Sequence, residues 1–256
     1  MDPIEQLLRS VIQEAGKLTI DFFGKSQVTH TKNDETDVVT NADIASSNLI
    51  LSGIKKYFPN HGIISEEEED IQTDSEYVWI VDPIDGTRNY ATHTPFFGIS
   101  IAVARNNIVE YAAIYLPYTH ELFYARRGSG ATLNGNQIRC SQKETLHMSY
   151  GVGFTSWNKK RMQLIRKFVD AIEEYEYWIC SVGSVVVNAM YVASGRRDWF
   201  IINNCNVWDY AAASLILSES GCRVTNFKGE DWTLSEDEFL AANERLHAQL
   251  LEIIQK

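Results

Sequence analysis

A chain of 256 residues, 45% hydrophobic and 22% charged, has the material for a large buried core, which excludes disordered, collagen-like and fibrous classes. Its formal net charge of -11 repels nucleic acid and anionic membrane surfaces, so direct binding to either is not expected. The same charge would repel a phosphorylated substrate unless acidic side chains hold a divalent cation that turns the site electropositive.

The start, Met1 to Ser10, lacks the basic opening and long apolar run of a signal peptide. No uninterrupted apolar stretch reaches bilayer-spanning length. Cys140, Cys180, Cys205 and Cys222 show no C-x-x-C spacing and are read as buried thiols of a cytoplasmic protein.

Ile4, Leu7, Leu8, Val11, Ile12, Ala15, Leu18 and Phe22 recur at helical spacing and predict a helix over residues 3–23, stopped by Gly24. After the polar stretch Thr29 to Asp37, a second helix is predicted from about Asn41 to Tyr57, with Ile44, Leu49, Leu51 and Ile54 on its apolar face and Pro59 ending it. Tyr77 to Val81 reads as a buried strand that delivers Asp82 to its end. Phe97 to Ala104 and Val109 to Tyr115 read as strands joined by a hairpin at Asn106-Asn107, and Glu121 to Ala125 extends the antiparallel region. Gly128, Gly130 and Gly135 mark a loop.

Beyond it the pattern alternates. Helices are predicted over Asn158–Glu174, Ser184–Ala193 and Asp209–Ser220, with a short one at the end of the chain, and strands over Tyr177–Val182, Trp199–Ile202, Cys222–Thr225 and Phe239–Ala242. This favours an α/β (α+β) class. No repeat or flexible linker is visible, so residues 1–256 are read as one unit, with a metal-site α+β part over roughly 1–145 and an α/β part over roughly 146–256.

Asp82-Pro83-Ile84-Asp85-Gly86-Thr87 is the most informative stretch. A strand end followed by a proline turn can bring Asp85 round toward Asp82, with the Ile84 carbonyl facing the same point. Two carboxylates and a carbonyl form a hard oxygen site that suits Mg²⁺ or Ca²⁺ and not zinc. Gly86 admits a phosphate, and Thr87 sets a hydroxyl and an amide at a possible helix start. The bland alternative is a turn that merely ends a strand. In the acidic run Glu66 to Asp70, Glu66 follows a strand end at Ile63-Ile64-Ser65 and is read as a ligand, Glu67 as a weaker candidate, and the rest as solvated. Asp209, Asp43 and the Gly183-Ser184 turn each have local readings as helix caps or first-turn acids. The six histidines are scattered without metal-like spacing, and no nucleophile elbow, Walker A loop or H-E-x-x-H occurs.

Together these pieces resemble the inositol monophosphatase family. Residues 82–89 look like its D-P-[IL]-D-G-T-x-N signature, and Ile64-Ser65-Glu66-Glu67 resembles I-G-E-E with serine for glycine. Trp208-Asp209-Tyr210-Ala211-Ala212 resembles W-D-x-A-A, Ser181-Val182-Gly183-Ser184 resembles S-x-G-[ST], and Lys32 with Asp37 to Asp43 resembles K…D-x-V-T-x-x-D. The elements stand in family order over nearly the whole chain.

The resemblance implies a layered αβαβα sandwich, a homodimer and a Mg²⁺-dependent, lithium-sensitive phosphatase with two or three ions acting on a small phosphorylated metabolite. It implies that Glu66, Asp82 and the Ile84 carbonyl hold one ion, that Asp82, Asp85 and Asp209 hold a second, and that Glu66 with Glu67 help a third. Glu66 and Thr87 would orient an attacking water, with Asp43 fixing the Thr87 hydroxyl. Gly86 and Thr87 would bind phosphate, and Gly183, Ser184 and Asp209 would contact the substrate.

One departure stands out. Where inositol-directed members carry a glutamate seven residues before the W-D aspartate, this chain has Ile202. Inositol 1-phosphate is the leading substrate, while fructose 1,6-bisphosphate, adenosine 3',5'-bisphosphate and histidinol phosphate stay open, with Arg196, Arg197, Asn203 or Asn204 available for another polar group. Readings from other classes are a regulatory partner of the transcription machinery and a simple Ca²⁺-binding module, although the EF-hand pattern is absent.

Overall fold

The structure, a computed structural model, describes residues 2–31, 38–153 and 159–256. Helix α1 (Pro3–Phe22) starts where the Asp2 carboxylate accepts from the Ile4 amide, with proline in its first turn. Strands β1 (Val28–Thr31) and β2 (Val38–Thr40) form a small antiparallel ribbon within the polar stretch. Helix α2 (Asn41–Tyr57) opens with a capping box made by Thr40 and Asp43.

Strands β3 (Gly62–Ser65) and β4 (Tyr77–Asp85) are parallel. After the short helix α3 (Thr87–Ala91), β5 (Gly98–Arg105), β6 (Ile108–Leu116), β7 (Glu121–Arg126), β8 (Ala131–Leu133) and β9 (Asn136–Gln137) complete a seven-stranded sheet in chain order. Asn106 and Asn107 turn the β5–β6 hairpin with positive φ angles of 50° and 63°, as a tight primed turn requires.

The second part contributes β10 (Tyr150–Gly153), α4 (Lys159–Tyr175), β11 (Trp178–Cys180), α5 (Val185–Ala193), β12 (Trp199–Asn203), α6 (Val207–Glu219), β13 (Arg223–Thr225), β14 (Glu238–Ala242) and α7 (Glu244–Gln255). Its five strands lie in the order β11-β10-β12-β14-β13.

Both sheets are covered on both faces, and the period of two along each strand sorts side chains between layers. On β4, Trp79 and Val81 face α1 and α2, while Val78 and Ile80 face α5 and α6. On β12, Phe200 and Ile202 face that same inner helical layer, while Trp199 and Ile201 face α4 and α7. The result is the five-layer αβαβα sandwich. Helices α5 and α6 lie between two sheets, so they are buried almost all round and show no apolar stripe. Among the described residues, no helix is long and apolar enough to cross a membrane.

Several expectations are corrected. On α2 the buried face carries Asp43, Ser46, Ser47, Ile50, Leu51 and Ile54, whereas Ile44 is exposed and Leu49 half-buried. The small polar residues turn inward because the helix lies over the end of β4, where Ser46 Oγ donates to the Pro83 carbonyl at 3.0 Å. β4 does not stop at Asp82: pairing with β5 resumes at Asp85, with an irregularity between them. Strand β10 is absent from the sequence reading because Tyr-Gly-Val-Gly has low strand propensity. Its glycines answer crowding, since a Cβ at Gly151 would lie 2.0 Å from the Trp199 ring and one at Gly153 1.9 Å from the Ile201 carbonyl oxygen. Cys140 and Cys222 are buried as expected, but Cys205 is only partly buried and Cys180, on edge strand β11, is exposed. Lys32, Asp37 and Asn158 lie outside the described residues.

Gly98 shows how tightly the inner layer seats on the first sheet. A Cβ there would meet Val186 Cγ2 at 2.7 Å and Leu116 Cδ2 at 2.8 Å. Gly98→Ala is expected to destabilise the protein by about 1–3 kcal/mol, the usual range for overpacking a filled core. Urea unfolding at unchanged m-value measures it, and an unchanged midpoint would mean that α5 packs more loosely on β5.

Candidate metal and phosphate site

The acidic side chains reach one place by different routes. β4 carries Asp82 and, past the bulge, Asp85 to its C-terminal edge, and both are buried. Because β3 runs parallel to β4 with Ser65 opposite Val81, the chain leaves β3 beside Asp82. The Glu66 amide then donates to the Val81 carbonyl at 3.2 Å, and the Glu66 carboxylate lies close enough to Asp82 to raise its pKa. Asp209 arrives from the second part on the first turn of α6. Oxygen atoms of Asp82, Asp85 and Asp209 all lie within 4.8 Å of one another.

Each carboxylate is oriented by the backbone or a hydroxyl. Asp82 Oδ1 accepts from the Ile84 amide at 3.0 Å. Asp85 Oδ2 accepts from the Val186 amide at 2.9 Å and from Ser184 Oγ, so it sits at the N-terminus of α5. Ser184 caps that helix as well, accepting from the Val187 amide at 3.2 Å, which engages its hydroxyl within the protein. Asp209 Oδ2 accepts from the Asn206 amide at 2.7 Å. Asp209 thus serves its own helix as a capping acid and still joins the cluster, so the two local readings are compatible.

A second network lies beside the first. Thr87 Oγ1 is 2.9 Å from the Ile84 carbonyl oxygen and 3.1 Å from Asp43 Oδ1, so one hydroxyl proton serves two acceptors. The other oxygen of Asp43 accepts from the Thr40 amide at 2.9 Å and from Thr40 Oγ1 at 2.5 Å. Gly86 joins β4 to α3 at φ 87°, and a Cβ there would stand 2.9 Å from the Phe96 carbonyl oxygen. Gly183 also has positive φ, 77°, and packs against the Asn89 amide, which donates at 2.7 Å to the Phe96 and Val182 carbonyls. Asn89 therefore ties the Gly86 loop to the Gly183-Ser184 turn. Glu67 is half-buried near Asp43 and raises its pKa electrostatically, while Glu68, Glu69 and Asp70 are exposed.

Arg161 is the contributor that reading the sequence missed. It is buried on α4, its Nε donates to the Asn203 carbonyl at 3.1 Å, and Nη2 contacts the Asn204 carbonyl at 3.2 Å and Cys205 Sγ at 3.3 Å. It therefore fastens the turn leading into α6 and favours ionised Asp209. Nothing local distinguishes it from the other basic residues of an amphipathic helix. Arg196 is paired with Glu121, and Arg197 stacks over Tyr150 and Tyr191, so neither is engaged with the acidic cluster. Asn203 is buried with Oδ1 unpartnered, and Asn204 is exposed.

The cluster fits a hard divalent cation. Burial raises Asp82 well above the usual carboxylate range, and the charges acting on it are further carboxylates: Glu66, Asp85 and Asp209. Burial also raises Asp85, against the pull of Ser184 and the α5 amides, and Asp209, with Asp85 adding to the latter. Convergent oxygen donors whose charge Arg161 offsets only in part suit Mg²⁺ or Ca²⁺ and disfavour a thiolate-seeking metal. The Ile84 carbonyl keeps a lone pair beyond the one used by Thr87.

Burial also pushes Asp43 up to about 6. These folded-state values lie above the unfolded ones, so the folded protein binds more protons. The associated stability is complete below the unfolded carboxylate range and is lost as pH rises through about 6 and beyond. In EDTA the unfolding midpoint is expected to be about 5 °C lower near pH 8 than near pH 5, and Mg²⁺ to recover the loss near pH 8. Differential scanning calorimetry with and without Mg²⁺ measures both; a metal-free midpoint that rises over this interval would contradict uncompensated buried acids.

Comparisons with known proteins identify the family. The profile of the inositol monophosphatase family matches residues 1–256. A Thermotoga maritima protein named fructose-1,6-bisphosphatase/inositol-1-monophosphatase is 32% identical over 249 residues, which cover 95% of this chain and 93% of that protein. A Haemophilus influenzae protein named Nus factor SuhB is 34% identical over 257 residues, covering 99% and 96%. The crystal structure of extragenic suppressor protein suhB from Bartonella henselae superposes with a TM-score of 0.93 at 29% identity, over 100% of this chain and 99% of that one. This chain belongs to the inositol monophosphatase family.

Proposed function

We propose that the protein is a Mg²⁺-dependent phosphomonoesterase acting on a small soluble phosphate ester, with inositol 1-phosphate as its leading substrate. The observation that carries this reading is the convergence of Asp82, Asp85 and Asp209, with Glu66 near Asp82, beside the Thr87–Asp43 network. Glu66, Asp82 and the Ile84 carbonyl would hold one Mg²⁺ and Asp82, Asp85 and Asp209 a second, with Glu66 and Glu67 supporting a third. Bound there, Mg²⁺ would neutralise the phosphate and acidify a water molecule.

The protein's own groups do the rest. Asp43 accepts from Thr87 and so aims the hydroxyl lone pairs away from itself, toward the attacking water, which Glu66 orients from the other side. The Gly86 and Thr87 amides bind the phosphate oxygens where the absence of a side chain at Gly86 lets the substrate approach the backbone. Gly183, Ser184 and Asp209 border the organic part. The reading describes a cytoplasmic homodimer without membrane or nucleic-acid partners, and light scattering checks the assembly.

Ile202 bears on the substrate. Its side chain is fully buried in the inner helical layer, opposite Phe239, and offers no acceptor to a sugar hydroxyl. Fructose 1,6-bisphosphate, adenosine 3',5'-bisphosphate and histidinol phosphate therefore remain the alternatives. The relatives named Nus factor SuhB favour a second reading, an assembly partner of the transcription machinery. A chain acting only in that way has no need for four converging carboxylates, which is why catalysis leads.

Phosphate release from the four esters, with Mg²⁺ or EDTA, tests the proposal. Turnover is expected only with Mg²⁺, and Asp82→Asn is expected to lower it on the order of 10³-fold. Thr87→Ala is expected to cost about 10²–10⁴-fold, and Asp43→Ala combined with it to add little, since the two share one hydrogen bond. Lithium chloride should inhibit where equal sodium chloride does not. Folded wild type with Mg²⁺ that releases phosphate from none of the four would shift the reading to the assembly partner.

A further inference from the structure

Cys140 and Cys222 stand 82 positions apart in the chain and meet in the fold. The segment that leaves β9 runs along the end of α6, where the Cys140 amide donates to the Ser220 carbonyl at 2.9 Å. Cys222 follows two residues later, its amide held by the Leu217 carbonyl at 3.0 Å. The two thiols are near enough for each to shift the other's titration. Even the Cβ position of intervening Gly221 lies only 3.8 Å from Cys140 Sγ. Both residues are buried, yet Cys222 also lines a cavity of about 320 Å³ whose wall includes Arg127, Arg223, Ser218 and Trp232.

We propose that Cys140 and Cys222 form a redox-active dithiol, a modification site closed by a small carboxylate-bearing disulfide of the glutathione type that enters this cavity. Cys222 attacks one sulfur of the incoming disulfide, and the first small thiol leaves with the Cys222 proton. Cys140 then attacks the Cys222 sulfur of the mixed disulfide, and the second small thiol leaves with the Cys140 proton. Two S–H bonds of the protein are lost and one S–S bond forms, while the small disulfide is reduced to two thiols. Arg127 and Arg223 stand against the single acid Asp231 on the cavity wall and leave it net positive, which suits the carboxylates.

The electrostatics support the pairing. Each sulfur moves the titration of the other, Cys140 below its usual range and Cys222 above it, as close neighbours do. Cys205 stands apart on the turn into α6, beside Arg161, with burial pushing its thiol up to about 12.

The consequence lies in what the bond would tie together. The segment holding Cys140 also abuts the turn after α5, where a Cβ at Gly195 would be 3.0 Å from the Arg139 carbonyl oxygen. Ser141 Oγ donates to Asp198 just ahead of β12. A Cys140–Cys222 disulfide would therefore staple the end of α6 to the chain that connects the two sheets. Closing a loop of this length restricts the unfolded chain strongly, so the thiol–disulfide balance of the surroundings would set the protein's heat stability.

Wild type and Cys180→Ser, which removes the exposed thiol, would be equilibrated in glutathione redox buffers. Free thiols would be alkylated and peptides mapped by mass spectrometry. Expected are a peptide linking Cys140 to Cys222 with the loss of two hydrogens, a midpoint of unfolding raised by about 10 °C, and reversal of both by dithiothreitol. Cys222→Ser should abolish the linked peptide and the shift. Two thiols that stay free at every buffer ratio, a lasting glutathione adduct on Cys222 without a bridge, or a bridge to Cys205 would each overturn the proposal. Should Cys222→Ser fail to fold, the wild-type peptide map decides alone. None of these readouts depends on phosphatase activity.

Discussion

Like charge held at close range in a dry place organises this molecule. Three aspartates bring oxygens within 4.8 Å of one another, two of them buried, and the charge of a glutamate acts on the first. Ionised carboxylates in that arrangement repel one another and have lost much of their water. Their oxygens stay converged because amides of Ile84, Val186 and Asn206 and the hydroxyl of Ser184 hold them. A divalent cation would turn the same repulsion into binding energy, which is how a chain of net charge -11 could hold an anionic substrate.

The layered fold follows from that demand for rigidity. Asp82 and Asp85 stand on a central strand of the first sheet, whereas Asp209 and the donors to Asp85 stand on α6 and α5. These helices are clamped between two sheets, so the site is assembled across an interface that has no freedom to slide. Ser100 Oγ, reaching the Trp208 carbonyl at 3.3 Å, joins β5 to the start of α6 at the same place. The bulge between Asp82 and Asp85 re-aims the second carboxylate without ending the sheet pairing. Arg161 adds a buried cation behind the turn entering α6 and offsets part of the negative charge on Asp209.

The same rigidity separates the chemistry from the specificity. The acidic cluster and the Thr87–Asp43 pair depend on strands, caps and a short loop, and they keep the pattern of the inositol monophosphatase family. Gly183, proposed to border the organic part, lies on a turn, where substitution costs the core little. Ile202 is a core residue in this chain, so the strand that precedes Asp209 serves packing at the point where inositol-directed members carry an acid.

Most of the elements and the members of the acidic cluster were legible in the chain alone. Asp82 to Thr87, Glu66 and Asp209 are recognisable because strand ends, a proline turn and oxygen ligands leave local signatures, and α1, α2, β5 and β6 appear in their periodicity. Tertiary structure alone decided what depends on partners distant in the chain. It placed Ser184 against Asp85, 99 residues away, and Arg161 against Asn203, 42 residues away. It turned Ser46 and Ser47 inward where Ile44 and Leu49 had the better claim by hydrophobicity, because α2 must cover a polar loop as well as a sheet. It made a central strand of Tyr150 to Gly153, whose glycines clear room for the Trp199 ring and the Ile201 backbone. Local propensity is read one segment at a time, whereas burial is set by whatever the fold lays on top.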